Sequence, residues 1–374
     1  MKITEIVVHP LRMPLVHPYV LSNAYGVLAE SDQIYVEIKT DEGITGWGEG
    51  NPWAGFSGDI AESVVCVLQK LVGPGLIGKD PTNINAIHKA MDGMIAENKM
   101  VKAAIDMACY DILGKSLCAP VHKILGGKKY DTIRCFWSIG GSTPEESAAE
   151  VLSIKEQGYW GCMIKIGTDY KNDIARTLAV RETVGPDFPL IADANQGWDY
   201  DTALRYGRGI ESADLLFYEQ PVKAWDVESL VKLRRNLRTP ISADEGVTTI
   251  QEAIRLVKAE ACDVFSIKTS KQGGIMPAKQ ICEYATENGI QLFFNSMIEG
   301  GITQAASMNI AVTSEIMMTT GHSFFSTLRH KDDVTSFRDL VVDGIIRIPD
   351  EPGLGVKVYE DKIKQYETGA IIIK

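Results

Sequence analysis

The chain has 374 residues, 45% hydrophobic and 23% charged, with a formal net charge of −11. That length exceeds one compact core, so a large domain with a smaller companion is expected, and the apolar content is ample to bury both. The acidic balance, without any Lys/Arg run, excludes the usual nucleic-acid footprint, and no stretch of about 18 uncharged apolar residues is present to span a membrane.

Residues 2–9, 32–40 and 44–49 alternate or run apolar around a turn at Asp41 to Gly43, which predicts an antiparallel meander. Segments 59–71, 82–92 and 100–116 then place apolar residues at helical spacing and end before Ala119-Pro120. Residues 1–130 are therefore read as an α+β domain. From 131 to 325 short apolar runs alternate with amphipathic stretches. Eight strands are predicted: IRCFWSI, CMIKIG, PLIADAN, LLFYEQP, PISADE, VFSIKTS, LFFNSM and IMMTTG. Eight such strands with helices between them suggest an α/β fold closed into a barrel. Helix starts are marked by Thr143-Pro144-Glu145-Glu146 and by Thr249 with Glu252 three residues later. After the eighth run the closing helix is weak; VVDGIIRIP (341–349) reads as one more strand, and residues 326–374 are expected to return as a tail to the first domain. The Gly- and aromatic-rich stretches Tyr19 to Gly26 and Gly50 to Gly58 are candidate loops over the barrel mouth.

Seven scattered cysteines without a C-x-x-C pair, and an N-terminus (MKITEIVVHPLRMPL) without a signal-peptide core, lead to the expectation of a cytoplasmic protein.

Five ionisable residues recur once per βα unit: Lys165, Asp193, Glu219, Asp244 and Lys268, spaced by 28, 26, 25 and 24 residues. In a parallel barrel the carboxyl ends of neighbouring strands surround one mouth, so these residues converge. Taken singly, each acid reads as a surface residue or helix cap and each lysine as a solvated strand end. In register, three acids between two lysines form a site for a divalent cation, with Mg²⁺ expected and Mn²⁺ as the alternative. Lys165 on the second strand and Lys268 on the sixth fall on opposite sides of the ring, which suits two-faced proton transfer. Asn195 and Glu245 are expected to support the metal ligands. Lys271 is read as structural. Trp53, Phe56 and Phe324 are candidates to wall the ligand.

The stretch AAIDMACYDILGK (Ala103 to Lys115), and Asp193-Ala194-Asn195 followed 24 residues after Asn195 by Glu219-Gln220-Pro221, resemble the enolase superfamily, muconate-lactonising-enzyme subgroup, over nearly the whole chain. The resemblance implies a modified (β/α)7β TIM-like barrel with an N-terminal α+β capping domain, and a metal on Asp193, Glu219 and Asp244. It also implies lysine acid/base groups at Lys165 and Lys268, an acid near the substrate at Glu299, a small-molecule carboxylate substrate and a homo-oligomer. Two departures matter. Met163 stands where the subgroup commonly has the first lysine of K-x-K, and no histidine lies at the seventh strand end, which disfavours the mandelate-racemase subgroup. Gly321-His322-Ser323 replaces the Asp-x-Asp of dipeptide epimerases, which disfavours a dipeptide. The expected activity is removal of the proton α to a carboxylate, giving an enediolate. A racemase or epimerase of a cyclic or N-modified amino acid leads, with a dehydratase or cycloisomerase as alternatives on the same site. A non-catalytic metal- or anion-binding barrel is the competing class.

Overall fold

The computed structural model describes residues 1–22 and 24–374; of the expected mouth loop Tyr19 to Gly26, Asn23 lies outside the described residues. The N-terminal meander forms β1 (Ile3–Val20), β2 (Val27–Thr40) and β3 (Thr45–Gly50), antiparallel neighbours in that order. β1 and β2 run well past the expected bounds. The chain beyond Val8 carries three prolines, yet it still pairs with β2, with a register shift between Pro14 and Tyr19.

The helix Lys99–Ser116 joins this sheet to the rest of the molecule. It is buried on nearly all sides because its two faces enter different cores. Val101, Ala104, Ile105, Ala108 and Ile112 pack on the sheet, whereas Ala103, Met107 and Tyr110 pack with the barrel. The sheet approaches closely because alternate residues of β3, Gly46, Gly48 and Gly50, face the helix. A Cβ at these positions would collide with the carbonyls of Ala108, Ala104 and Met100, successive turns of one helix face.

The barrel then follows as β4 (Thr132–Arg134), outside it, and seven parallel strands in sequential order: β5 (Phe136–Ile139), β6 (Gly161–Lys165), β7 (Leu190–Asp193), β8 (Tyr218–Glu219), β9 (Ile241–Ala243), β10 (Val264–Ile267) and β11 (Gln291–Phe294). Phe136, Met163, Ile191, Phe217, Val264 and Phe293 fill its interior. The two expected helix starts are both capping boxes, Thr143 with Glu146 and Thr249 with Glu252.

Three expectations need correction. IRCFWSI is two strands broken at Cys135, and only the second half belongs to the barrel. IMMTTG is no regular strand: the ring closes through single parallel bridges, Leu292 to Met317 and Cys135 to His322. VVDGIIRIP is a hairpin, β12 (Val341–Val342) and β13 (Ile345–Arg347), turning on Asp343 and Gly344, both at positive φ (52° and 67°). It pairs with β4; contact with the first sheet comes from β14 (Ile371–Ile373), antiparallel to β1. No helix among the described residues is long and apolar enough to cross a membrane.

Two acids in the helix Lys99–Ser116 fasten the two parts. Asp111 accepts from Trp47 N–H on β3 and Leu354 N–H in the tail, both at 3.0 Å. Asp106, fully buried, accepts from the N–H groups of Ile275 and Met276, the first residues of a barrel helix, and from His88 Nε2 at 2.7 Å. Asp106→Ala strands those buried donors and is expected to cost about 3 kcal/mol, read as a lower urea midpoint; an unchanged midpoint would show that the acid does not hold the two parts together.

Candidate active site

Strand register assembles the site. Lys165, Asp193 and Glu219 are the last residues of β6, β7 and β8 and pair side by side across them. Asp244 and Lys268 come one residue after β9 and β10. The three acids are 0% exposed, Lys165 8% and Lys268 5%, so all five charges face one another rather than water.

Each lysine has its own acid. Lys165 Nζ donates to Asp193 Oδ2 and, at 3.2 Å, to Asn195 Oδ1. Lys268 Nζ donates to Asp244 Oδ2 at 2.5 Å. Glu219, on the strand between the two acids, receives neither ammonium. Its Oε1 accepts from Asn295 Nδ2 at 2.6 Å, and its buried Oε2 has no partner among the described residues. Burial, then repulsion from Asp193 and Asp244, pushes its carboxyl well above the usual range. Asp244 is held down to about 2: burial acts against ionisation, and Lys268 and Lys271 prevail. For Lys165 and Lys268 burial favours the neutral amine, but Asp193 and Asp244 respectively lead the acids that raise both values.

Among the described residues no three His, Cys, Asp or Glu side chains stand gathered as a ready metal cage, and ammonium groups lie against two of the acids. The donor set nevertheless suits a hard dication: three carboxylates on adjacent strands, one with an unpartnered buried oxygen.

Asn195 and Glu245 lie at this centre. Asn195 N–H donates to Asp193 Oδ1 at 2.8 Å. Glu245 Oε1 accepts from Tyr25 OH at 2.8 Å and Asn195 Nδ2 at 3.4 Å, and its buried Oε2 has no partner among the described residues. Glu299 lies elsewhere: Met297 N–H, Ser296 Oγ and Gln304 hold its carboxylate in the β11 loop. Trp53 and Phe56 stack at 5.9 Å, Tyr25 tilts against both, and the Phe56 ring sits 4.5 Å from Lys268 Nζ. Phe324, expected beside them, is instead core, against His322 and Phe337. Behind Phe56 a cavity of about 230 Å³ is lined in part by Asp59, Lys99, Glu245, Thr248 and Lys271.

Three contributors escaped the sequence reading. Lys271 is no loop bystander: it binds Asp244 Oδ1, and the helical turn Thr269–Gln272 that returns it to the site was signalled by its i+3 spacing from Lys268. Asn295, the first residue after β11, occupies the strand-end position that the charged residues occupy elsewhere. Tyr25 had no chemical signal beyond its aromatic loop. His322 is a neutral core residue, pushed down to about 3 by burial among aromatic rings.

The sequence matches two family models, "Mandelate racemase / muconate lactonizing enzyme, N-terminal domain" over residues 2–126 and "Enolase C-terminal domain-like" over 146–362. It is 35% identical to the N-succinyl-L-Arg/Lys racemase of Bacillus cereus, covering 98% of both chains; the crystal structure of that enzyme superposes with a TM-score of 0.96 over 100% of both at 34% identity. The L-Ala-D/L-Glu epimerase of Clostridium acetobutylicum is 33% identical over 96% of this chain and 99% of its own. A dipeptide epimerase from Cytophaga hutchinsonii, complexed with Mg and D-Ala-L-Val, aligns over 100% of both chains with a TM-score of 0.94 and 29% identity.

Glu245 gives the site a pH signature. Burial first, then Asp244 and Asp193, raises it from 4.5 to about 7. A raised carboxyl stabilises the fold below its unfolded value and loses that contribution as pH climbs through the folded one. In chelator, stability should therefore fall as pH rises from 4.5 to 7. Glu245→Gln should flatten the fall in urea midpoints across that window; an equal slope in the variant would remove Glu245 as its source. Matching domains at both ends, together with these full-length relatives, show that the chain belongs to the mandelate racemase/muconate lactonizing enzyme family of the enolase superfamily.

Proposed function

We propose that the protein is a Mg²⁺-dependent racemase or epimerase of an N-modified amino acid, with Lys165 and Lys268 exchanging the proton on opposite faces of the carbon α to its carboxylate. The observation that carries this reading is the pair of buried ammonium groups on either flank of Glu219, each against a separate acid. Residues 1–130 act here as the cap, 131–325 as the catalytic barrel and 326–374 as the returning tail, within a homo-oligomer.

Asp193, Glu219 and Asp244 would hold the cation, which supplies a Lewis acid for the negative charge that grows on the substrate carboxylate as the proton leaves. Lys165 and Lys268 do the proton transfer. Their burial favours the neutral amine that a base must be; the neighbouring acids, and for Lys165 the Tyr19 phenol as well, oppose it. With Asp193 and Asp244 engaged elsewhere, one lysine accepts the proton while the other, still an ammonium, returns one to the far face. Tyr25, Trp53 and Phe56 cover the mouth and exclude water.

An N-modified substrate is favoured over a free amine because the Gly321-His322-Ser323 stretch offers no carboxylate to hold an ammonium. The Bacillus cereus relative, named for N-succinyl-Arg and N-succinyl-Lys, supports the same class.

Incubation with N-succinyl amino acids in deuterated water tests the reading by NMR and polarimetry. Wild-type enzyme should exchange the α-proton with inversion. Lys165→Ala and Lys268→Ala should each lose about 10²- to 10⁴-fold in racemisation, with any residual exchange confined to opposite enantiomers. Full turnover in both variants would overturn the assignment, and loss of water from a β-hydroxy substrate without inversion would favour a dehydratase.

A further inference from the structure

Every carboxylate of the trio has one oxygen taken by a fixed donor and the other left toward its neighbours. Asp193 Oδ1 accepts the Asn195 N–H at 2.8 Å, while Oδ2 meets only the Lys165 ammonium. Glu219 Oε1 accepts the Asn295 amide at 2.6 Å, while Oε2 has no partner among the described residues. Asp244 Oδ1 accepts Lys271 Nζ at 2.8 Å, while Oδ2 meets Lys268.

The three donors are themselves immobilised. Asn295 Oδ1 accepts the Ser296 N–H at 2.8 Å, so turning the amide over would lose both contacts. The three ammonium hydrogens of Lys271 are all in use, on Asp244 Oδ1, the Asp244 carbonyl at 2.6 Å and the Ser266 carbonyl at 2.9 Å. The Asn195 donor is backbone. Lys165 and Lys268, by contrast, approach from flexible stems and make few contacts besides their acid.

We infer that Asn295 and Lys271, together with the Asn195 N–H, are positioning groups that restrict each carboxylate to a single coordinating oxygen and so select a small six-coordinate dication over Ca²⁺. The inference rests on the reading that this trio holds a metal. Its physical basis is denticity. Ca²⁺ takes six to eight oxygens and commonly gains them from a bidentate carboxylate, whereas Mg²⁺ demands near-octahedral geometry and retains waters. An oxygen already held by a fixed donor can join a metal only by weakening that hydrogen bond, so a bidentate grip, which the larger ion needs more than the smaller one, carries a cost here.

Separate calorimetric titrations of the full chain with Mg²⁺ and with Ca²⁺ test this without recourse to activity. In Asn295→Leu and Lys271→Met the preference for Mg²⁺ over Ca²⁺ should fall by about tenfold, and Lys271→Arg, which can still donate to Asp244, should keep the wild-type preference. The ratio is the decisive quantity. Removing the charge of Lys271 strengthens attraction to both dications alike and cancels, and general damage to the site weakens both. Two variants on different elements, the Thr269–Gln272 turn and the end of β11, guard against one failing to fold. An unchanged ratio in variants that still bind dications would overturn the inference while leaving the proposed activity standing; a wild-type chain that binds neither ion would overturn both.

Discussion

The structure depends on burying three carboxylates at adjacent strand ends. Two such charges about 4 Å apart repel by roughly 4 kcal/mol at an effective dielectric of 20, and none of the three has solvent to share the cost. The barrel answers with three buried lysines, Lys165, Lys268 and Lys271, set among those acids. The balance is uneven in a way that matters chemically. Lys271 is fixed by three contacts, whereas Lys165 and Lys268 lie as counterions on the oxygens that face the centre. In the proposed mechanism the groups that neutralise the acids are also those that carry the protons.

The cap matters because it closes this centre. Its hold on the barrel is built from backbone donors and buried acids rather than surface ion pairs, which contribute little. Glu49, at the end of β3, accepts the N–H groups of Gly300 and Thr303 at 2.6 and 2.9 Å, where a barrel helix begins after β11. Asp106 performs the mirror service for another barrel helix. With the helix Lys99–Ser116 shared between both cores, the aromatic residues of the cap are set over Lys268 by the packing of the whole domain.

Much of this was legible in the chain. The recurrence of one ionisable residue per βα unit exposed the barrel mouth, because parallel register converts equal sequence spacing into spatial convergence. Capping boxes at Thr143 and Thr249 fixed helix starts through local chemistry alone. What escaped depended on three-dimensional partners. The eighth strand reads as apolar sequence but makes only isolated bridges, since its neighbours β11 and β5 are met at different residues. Phe324 and Phe325 are indistinguishable in sequence, yet the first enters the core and the second packs with Leu15, Tyr19 and Leu21. Asn295 and Lys271 are ordinary polar residues until Glu219 and Asp244 are placed beside them. Glu299 looked like a mouth acid, and is claimed by its own loop.

The central claim is geometric: two lysines address one α-carbon from opposite sides while its carboxylate lies at the acids between them. The most direct measurement is a crystal structure of the enzyme with Mg²⁺ and an N-succinyl amino acid. The account predicts the cation on Asp193, Glu219 and Asp244, with Lys165 Nζ and Lys268 Nζ on opposite faces of the α-carbon. Both amines on one face, or a substrate carboxylate bound away from Glu219, would contradict it.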